Sequence, residues 1–208
     1  MNPTSLDHVA LWVAERDAIA DFAVAQLGMH VIERTDRFTL VGADARRGKL
    51  TLFEAEGPRE AGVLSRIGLR VSVLPAGAPD SFELSDGLTL TLVEGNTDVE
   101  YDLDHVALLS PDPEAAAREW LRYGFTPAGP RRVEVGGAYL ELLDGEGATE
   151  RPLLNHLGVL VAEAAPAQEM GAEVADVVDA PNTFAVFVWG PDRVKLEYVE
   201  HKPSFSLS

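Results

Sequence analysis

The spacing of hydrophobic residues predicts two short helices, each of which is followed by strands. Apolar residues recur at helical spacing over Ile19–Leu27, and Gly28 follows where such a helix would end. Further along, Asp112 and Pro113 are typical of a helix start, and the pattern after them stops at Gly124. We therefore expect both helices to end at a glycine.

A hairpin is predicted after each helix. The first combines Arg37–Val41 with Lys49–Phe53 through a longer loop. The second combines Arg131–Val135 with Tyr139–Leu143, and the intervening Gly136-Gly137 is a favoured two-residue turn.

The chain contains an internal repeat that covers nearly all of it. The hexapeptide LDHVAL occurs at Leu6–Leu11 and again at Leu103–Leu108. Two later segments also match between the halves: LSRIGLRV with LNHLGVLV, and DGLTLTLVE with DRVKLEYVE. Since each copy of a repeat is a structural unit, we divide the chain into residues 1–97 and 98–208.

Each half is itself doubled. Units that start at Leu6, Arg66, Leu103 and Asn155 each combine strands with at most one helix. The predicted fold class is α+β, with four βαβββ-like units paired into two half-barrel sheets around a cleft.

Composition limits the partners of the protein. The 208 residues include 17 Lys and Arg against 34 Asp and Glu, a formal net charge of −17. This charge argues against binding to nucleic acids or to anionic membrane surfaces. The absence of cysteine excludes disulfides, thiolate nucleophiles and iron–sulfur clusters. With no secretory signal and no apolar run of membrane-spanning length, the sequence predicts a cytoplasmic protein.

Four aligned positions differ in chemistry between the two halves. The second half has His105, Glu141, His156 and Glu197. The corresponding residues of the first half are, in the same order, His8, Thr51, Arg66 and Thr91.

The ionisable residues of the second half lie in strands between apolar neighbours. Leu140 and Leu142 flank Glu141, so Glu141 faces the opposite side of its strand. A carboxylate enclosed by a sheet is costly unless it is paired, and two imidazoles with two carboxylates could be satisfied by a divalent cation. The first-half set contains an arginine and would hold a cation poorly. We therefore predict a metal-bearing second half, a metal-free first half, and a structural role for His8.

At these residues the sequence resembles the vicinal oxygen chelate superfamily. That group includes glyoxalase I, methylmalonyl-CoA epimerase, extradiol dioxygenases and bleomycin-resistance proteins. The resemblance rests on the paired units, on DHVAL at Asp104–Leu108, on NHLGV at Asn155–Val159, and on the closing segment Trp189–Glu200. Gly190 and Arg193 depart from the usual family ending. The resemblance implies a divalent-metal-dependent enzyme that chelates adjacent oxygens of a small organic substrate.

Two ligand patterns of that superfamily compete in this sequence. His105, His156 and Glu197 match the facial triad of extradiol ring-cleaving dioxygenases, which use non-haem Fe(II). Adding Glu141 gives the four-ligand pattern of glyoxalase I, where a metal-bound carboxylate can also take a proton from the substrate. The extra His and Tyr of the dioxygenases are missing, and Phe187 stands where the Tyr would be. We therefore favour isomerase or lyase chemistry, with Glu141 as the catalytic base.

A third alternative is a metal-free protein that binds hydrophobic or cationic drugs, as bleomycin-resistance proteins do. The retained His and Glu residues argue against it. The metal is left open among Fe, Ni, Zn, Mn and Co. The expected partner is a small-molecule substrate, and the chain is expected to be a monomer or a homodimer.

Overall fold

The computed structural model describes residues 1–74, 77 and 79–205. Strands β1 to β15 span, in order, Ser5–Val13, His30–Arg34, Phe38–Gly42, Lys49–Glu54, Leu64–Val71, Ser81–Glu83, Thr89–Glu94, Asp102–Ser110, Thr126–Gly129, Arg132–Val135, Ala138–Asp144, Leu154–Leu160, Val174–Asp179, Thr183–Trp189 and Lys195–His201. Helix α1 spans Arg16–Leu27 and α2 spans Pro113–Trp120. Short 3-10 helices lie at Ser85–Gly87, Leu121–Tyr123, Ala165–Glu169 and Pro191–Arg193. Within the described residues, no helix is both long enough and apolar enough to cross a bilayer.

The strands form two mixed sheets. One has eight strands in the order β13-β14-β15-β12-β1-β4-β3-β2, and the other has seven in the order β6-β7-β5-β8-β11-β10-β9. In each sheet, two units meet through a central antiparallel pair, β1 with β12 and β5 with β8. The predicted α+β architecture of paired half-barrel units is confirmed.

The units pair across the two halves of the repeat. The first unit (β1–β4) joins the fourth (β12–β15), and the second (β5–β7) joins the third (β8–β11). Residues 1–97 and 98–208 therefore each contribute strands to both sheets. The repeat boundary falls between β7 and β8, but a metal-free half and a metal-bearing half are not separate structural units.

The predicted end of α1, start of α2 and tight turn are present, whereas α2 ends at Trp120 and only the 3-10 helix that follows it ends at Gly124. Gly28 ends α1 in the left-handed conformation, with φ of 77°. The Asp112 side chain accepts a hydrogen bond from the Ala115 N–H at 3.0 Å and so caps α2. Gly136 and Gly137 have φ of 57° and 85°, as the two-residue turn between β10 and β11 requires.

The two faces of each sheet differ in chemistry. On β1, Val9 and Leu11 are fully buried in the hydrophobic core to which α1 also belongs. His8 and Trp12 alternate with them and point to the other side of the strand. We call this second side the open face of a sheet, and the chemistry-bearing side chains described below lie on the two open faces.

Candidate metal centre

Three ionisable side chains meet on the open face of the eight-stranded sheet. They are His8 on β1, His156 on β12 and Glu197 on β15. Strand β12 lies between the other two, and its Gly158 pairs with both His8 and Glu197. A Cβ atom at Gly158 would lie 2.3 Å from the His8 ring, so the glycine makes room for the imidazole. The close approach of the three side chains thus depends on one small residue.

The three ligand-type atoms form an equilateral triangle. His8 Nε2, His156 Nε2 and Glu197 Oε2 each lie 2.9 Å from the other two. Donor atoms held at right angles at about 2.1 Å from a metal ion would be about 3.0 Å apart. All three residues are buried, with relative exposures of 8%, 5% and 7%. The spacing therefore fits one face of an octahedral divalent-metal site.

Neighbouring side chains fix the orientation of both imidazoles. His8 Nδ1 lies 2.7 Å from Asp7 Oδ2, and His156 Nδ1 lies 3.1 Å from Asn155 Oδ1. With the Nδ1 atoms as donors, both Nε2 atoms turn their lone pairs toward the Glu197 carboxylate. Three acceptors at this distance repel one another unless a positive charge lies between them. A divalent cation would supply that charge, so the donor set fits a metal.

The buried ion pair of Asp7 and Lys49 contacts His8 on the side of its ring away from the cluster. Lys49 Nζ donates to Asp7 Oδ1 at 2.9 Å, and His201 Nε2 lies 3.4 Å from the same oxygen. Burial alone would raise the pKa of Asp7, but Lys49, His201 and His8 hold it well below its usual range. Asp7 is thus a permanent carboxylate that holds the His8 ring in place.

With no metal bound, a proton supplies the positive charge. Burial would lower the pKa of His8, but the Glu197 and Asp7 carboxylates outweigh it and raise the pKa to about 9. Burial would raise the pKa of Glu197, but the charge of His8 and hydrogen bonds from both imidazoles lower it to about 2. Burial, together with the charge of His8, lowers the pKa of His156. A metal ion bound by these three side chains would therefore compete with a proton on His8.

The structure does not bring His105 and Glu141 to this cluster. Both lie on the seven-stranded sheet, His105 on β8 and Glu141 on β11. We expected both residues to group with His156 and Glu197, and that expectation is incorrect because β12 pairs with β1 rather than with β8. Glu141 is consequently not placed to act as a base at this centre. His8, for which we expected a structural role, occupies the place that we expected for His105.

Guanidinium groups surround His105 and Glu141 instead. Arg66 Nε donates to His105 Nε2 at 3.2 Å, and Arg66 also donates to Glu141 Oε2. Arg132 donates to the other Glu141 oxygen at 3.1 Å. In the part of the chain that the structure describes, the eight-stranded sheet holds the one cluster of three or more acidic or imidazole side chains arranged to hold a metal.

Aromatic rings border the metal-type cluster. The Phe53 and Phe187 rings lie 6.4 and 5.1 Å from the His156 ring, measured between centroids. Phe53 also packs against Trp12 at 5.2 Å and against Phe38 at 5.7 Å. All four rings are partly exposed, so they offer apolar faces to a planar molecule bound beside the triad.

Comparison with known families adds an independent observation. The model of the Glyoxalase/Bleomycin resistance protein/Dioxygenase superfamily matches residues 5–198. The chain belongs to this superfamily. The match spans all four units, so the superfamily resemblance seen in the sequence is confirmed. A search of curated proteins found no sequence that matches the chain.

Several solved structures share the fold of this chain. A candidate dioxygenase from Bacillus subtilis subsp. subtilis str. 168 aligns with a TM-score of 0.73 and 16% identity, covering 98% of this chain and 87% of that chain. Glyoxalase I from Zea mays aligns with a TM-score of 0.67 and 14% identity, covering 94% and 92%. The cppA protein from Streptococcus pneumoniae TIGR4 aligns with a TM-score of 0.62 and 15% identity, covering 96% and 99%. At these identities the likeness shows the glyoxalase/dioxygenase-like fold alone.

Proposed function

We propose that this superfamily member is a divalent-metal-dependent enzyme that chelates two adjacent oxygens of a small organic substrate. His8, His156 and Glu197 would hold the metal. Within that chemistry we propose extradiol ring cleavage, in which dioxygen opens the ring of a vicinal diphenol. The number of protein ligands carries this choice, because among the described residues the cluster supplies three.

The ligand count separates the two reactions considered for the superfamily. Three ligands on one octahedral face leave three positions, enough for two substrate oxygens and dioxygen. The four-ligand pattern needs a further carboxylate. Thr51 stands in that place here, since it pairs with Ala10 just as Glu141 pairs with Ala107 in the other sheet. The geometry therefore favours the dioxygenase over the isomerase or lyase that the sequence suggested.

A redox-active divalent ion such as Fe(II) or Mn(II) would supply Lewis acidity and electron transfer to dioxygen. Two imidazoles and one carboxylate are the donor set of such ions in non-haem oxygenases. The chain itself contributes the rest of the site. Glu197 and the two imidazoles provide a preformed, buried ligand set. Phe53 and Phe187 flank His156 and would hold a planar ring beside it while limiting access of water.

At the position of Phe187, we expect proton transfer to involve the substrate and solvent. Phe187 packs edge-on against His156 and carries no acidic or basic group. A diphenol hydroxyl therefore loses its proton to water rather than to a side chain at that position. We expect the apparent affinity for diphenols to increase with the acidity of their hydroxyl groups.

Metal content and oxygen uptake together test the proposal. Protein purified without chelator and loaded with Fe(II) under anaerobic conditions should hold one equivalent of metal. On mixing with catechols and oxygen it should consume oxygen and form a yellow ring-opened product. Stoichiometric metal without oxygen uptake, but with proton exchange next to a substrate carbonyl, would support the isomerase or lyase instead. Failure to take up any divalent metal would leave a metal-free binding protein.

A further inference from the structure

The open face of the seven-stranded sheet carries a cluster of opposite polarity at the place that corresponds to the triad. In the repeat, Arg66 corresponds to His156, and it contacts His105 as His156 contacts His8. The Arg66 guanidinium thus supplies a permanent positive charge on this sheet. On the eight-stranded sheet, a bound metal would supply that charge. A ligand drawn to this second face should therefore be an anion rather than a cation.

Two guanidinium groups hold a carboxylate between them on this face. Arg66 donates to one oxygen of Glu141, and Arg132 donates to the other. The Arg132 guanidinium also stacks on the Tyr139 ring at 4.0 Å, and Tyr139 stacks on His105 at 5.0 Å. The stacking fixes the plane of the guanidinium. Glu141 shows directly that the gap between the two arginines accepts a planar carboxylate.

The arginines retain donors beyond those that Glu141 uses. Among the described residues, Arg66 Nη1 and the Nε and Nη1 atoms of Arg132 make no hydrogen bond. The Arg66 and Arg132 side chains are 32% and 42% exposed, so these N–H groups are accessible. Arg70 is also on this face and pairs with Asp104 at 2.8 Å. Three guanidiniums and two carboxylates in one bonded cluster leave one uncompensated positive charge.

Room for a ligand lies beside this cluster. A cavity of about 380 Å³ is bordered by Arg132 and Glu141, by the Arg131–Asp144 ion pair, and by the apolar side chains of Pro130 and Leu143. That volume matches a small organic molecule, and the lining offers both charged and apolar contacts. Glu134, which is exposed on β10 two residues after Arg132, forms no ion pair with the described arginines. The overall charge of −17 opposes anion binding, but salt screens it beyond about 8 Å under physiological conditions.

We propose that Arg66 and Arg132 form a second ligand site, separate from the metal centre, that binds the carboxylate of a small organic anion. The ligand carboxylate pairs with the free guanidinium N–H groups, and its apolar body lies in the adjoining cavity. Glu141 orients both guanidiniums and also competes with the ligand through its own charge.

Calorimetric titration with sodium benzoate at about 0.15 M ionic strength, where the overall charge is screened, tests this site. Benzoate should bind, whereas the neutral analogue benzyl alcohol should not. Arg66→Met and Arg132→Met should each weaken benzoate binding about tenfold, because each removes charge-assisted hydrogen bonds. Glu141→Gln should strengthen it about tenfold by removing the competing charge, a gain that misfolding could not produce.

Matched controls separate this site from other arginines and from the metal centre. Arg193 stacks on Trp189 at the end of β14, at 4.3 Å, and pairs with Glu173, so it lies beside the other sheet and Arg193→Met should leave benzoate binding unchanged. His156→Ala should also leave it unchanged, whatever the outcome of the metal experiments. The proposal is overturned if benzoate binds neither the wild type nor Glu141→Gln, or if His156→Ala abolishes binding. Inorganic phosphate binding tighter than benzoate would likewise overturn the assignment of a carboxylate ligand.

Discussion

The eight-stranded and seven-stranded sheets share one backbone arrangement and differ in the side chains that it displays. His8 faces Gly158 in the first sheet, and His105 faces Gly68 in the second. In both cases an added Cβ atom would lie 2.3 Å from the imidazole. In both, the His Nδ1 atom lies within hydrogen-bond distance of the preceding aspartate, at 2.7 and 2.8 Å. The Asp-His pair and the glycine opposite the histidine are therefore present in both sheets.

The two sheets differ at the residues that complete each cluster. The first sheet adds His156 and Glu197, which leaves three acceptors facing one another. The second adds Arg66 and Thr91, and the guanidinium supplies the positive charge itself. The comparison teaches that a few side chains on a common backbone distinguish the proposed metal centre from a cluster that contains its own cation.

The largest effect is expected from removing an imidazole on one sheet and not on the other. His8→Ala and His156→Ala should each weaken divalent-metal binding by at least about 100-fold. Removing a ligand should lower the metal affinity more than removing a hydrogen bond that orients the ligand, which typically costs about 10–100-fold. His105→Ala should retain one equivalent of metal, as measured by elemental analysis after dialysis. Equal metal loss in His8→Ala and His105→Ala would contradict the assignment of the site to one sheet.

Rebuilding the triad on the second sheet is the converse experiment. Thr91 pairs with Gly68 as Glu197 pairs with Gly158. The double substitution Arg66→His with Thr91→Glu should therefore raise metal stoichiometry from one equivalent to two. A variant that keeps the native circular dichroism spectrum but still binds one equivalent would show that the two backbones are less alike than the strand registers indicate.

Removing the buried cation behind His8 should affect folding stability. Lys49→Met leaves the Asp7 carboxylate without its main partner, which should cost about 3–5 kcal/mol in the free energy of unfolding. Tyr139, which pairs with His105 as Lys49 pairs with His8, provides the matched control. Tyr139→Phe should cost about 1 kcal/mol or less. Urea denaturation of the three proteins at neutral pH measures both values, and a similar cost for both variants would contradict the ion-pair argument.

The smallest effect concerns the pH dependence of stability on the second sheet. Burial would raise the pKa of Asp104, but hydrogen bonds from His105 and Arg70 lower it below its unfolded value. The carboxylate therefore stabilises the fold at pH values above about 4, and this contribution is lost as the pH falls further. Asp104→Asn should be destabilised by about 1–2 kcal/mol at pH 7, and by less at pH 3. If Asp104→Asn were destabilised equally at pH 7 and pH 3, the stabilising role of the Asp104 carboxylate would be contradicted.

The sequence was sufficient to predict local structure and the family, because these depend on neighbouring residues. Gly28, Asp112 and the Gly136-Gly137 turn act within a few residues of their own positions. His156 and Glu197 were singled out because the repeat offered a comparison within one chain, and the structure brings these two together. Their role as metal ligands stays a prediction.

The third residue of the cluster with His156 and Glu197 could not be predicted from the sequence in the same way. All four units have similar hydrophobic patterns, so the sequence does not show which units share a sheet. We placed the metal site within the second half, and this assigned His105 to the site and left His8 out. The identical Asp-His pairs at 7–8 and 104–105 indicated that either histidine could join His156 and Glu197. Only the pairing of β1 with β12 decides between them.

That same pairing has a consequence for the biosynthesis of the protein. The ribosome makes β1 first, yet its neighbour β12 emerges some 140 residues later, and β15 later still. Until then the opening strand has no partner on that side and no pocket for an ion. A nascent chain therefore cannot bring His8, His156 and Glu197 together before β15 has been made. Chaperones that shield strand β1 during translation should increase the yield of folded protein.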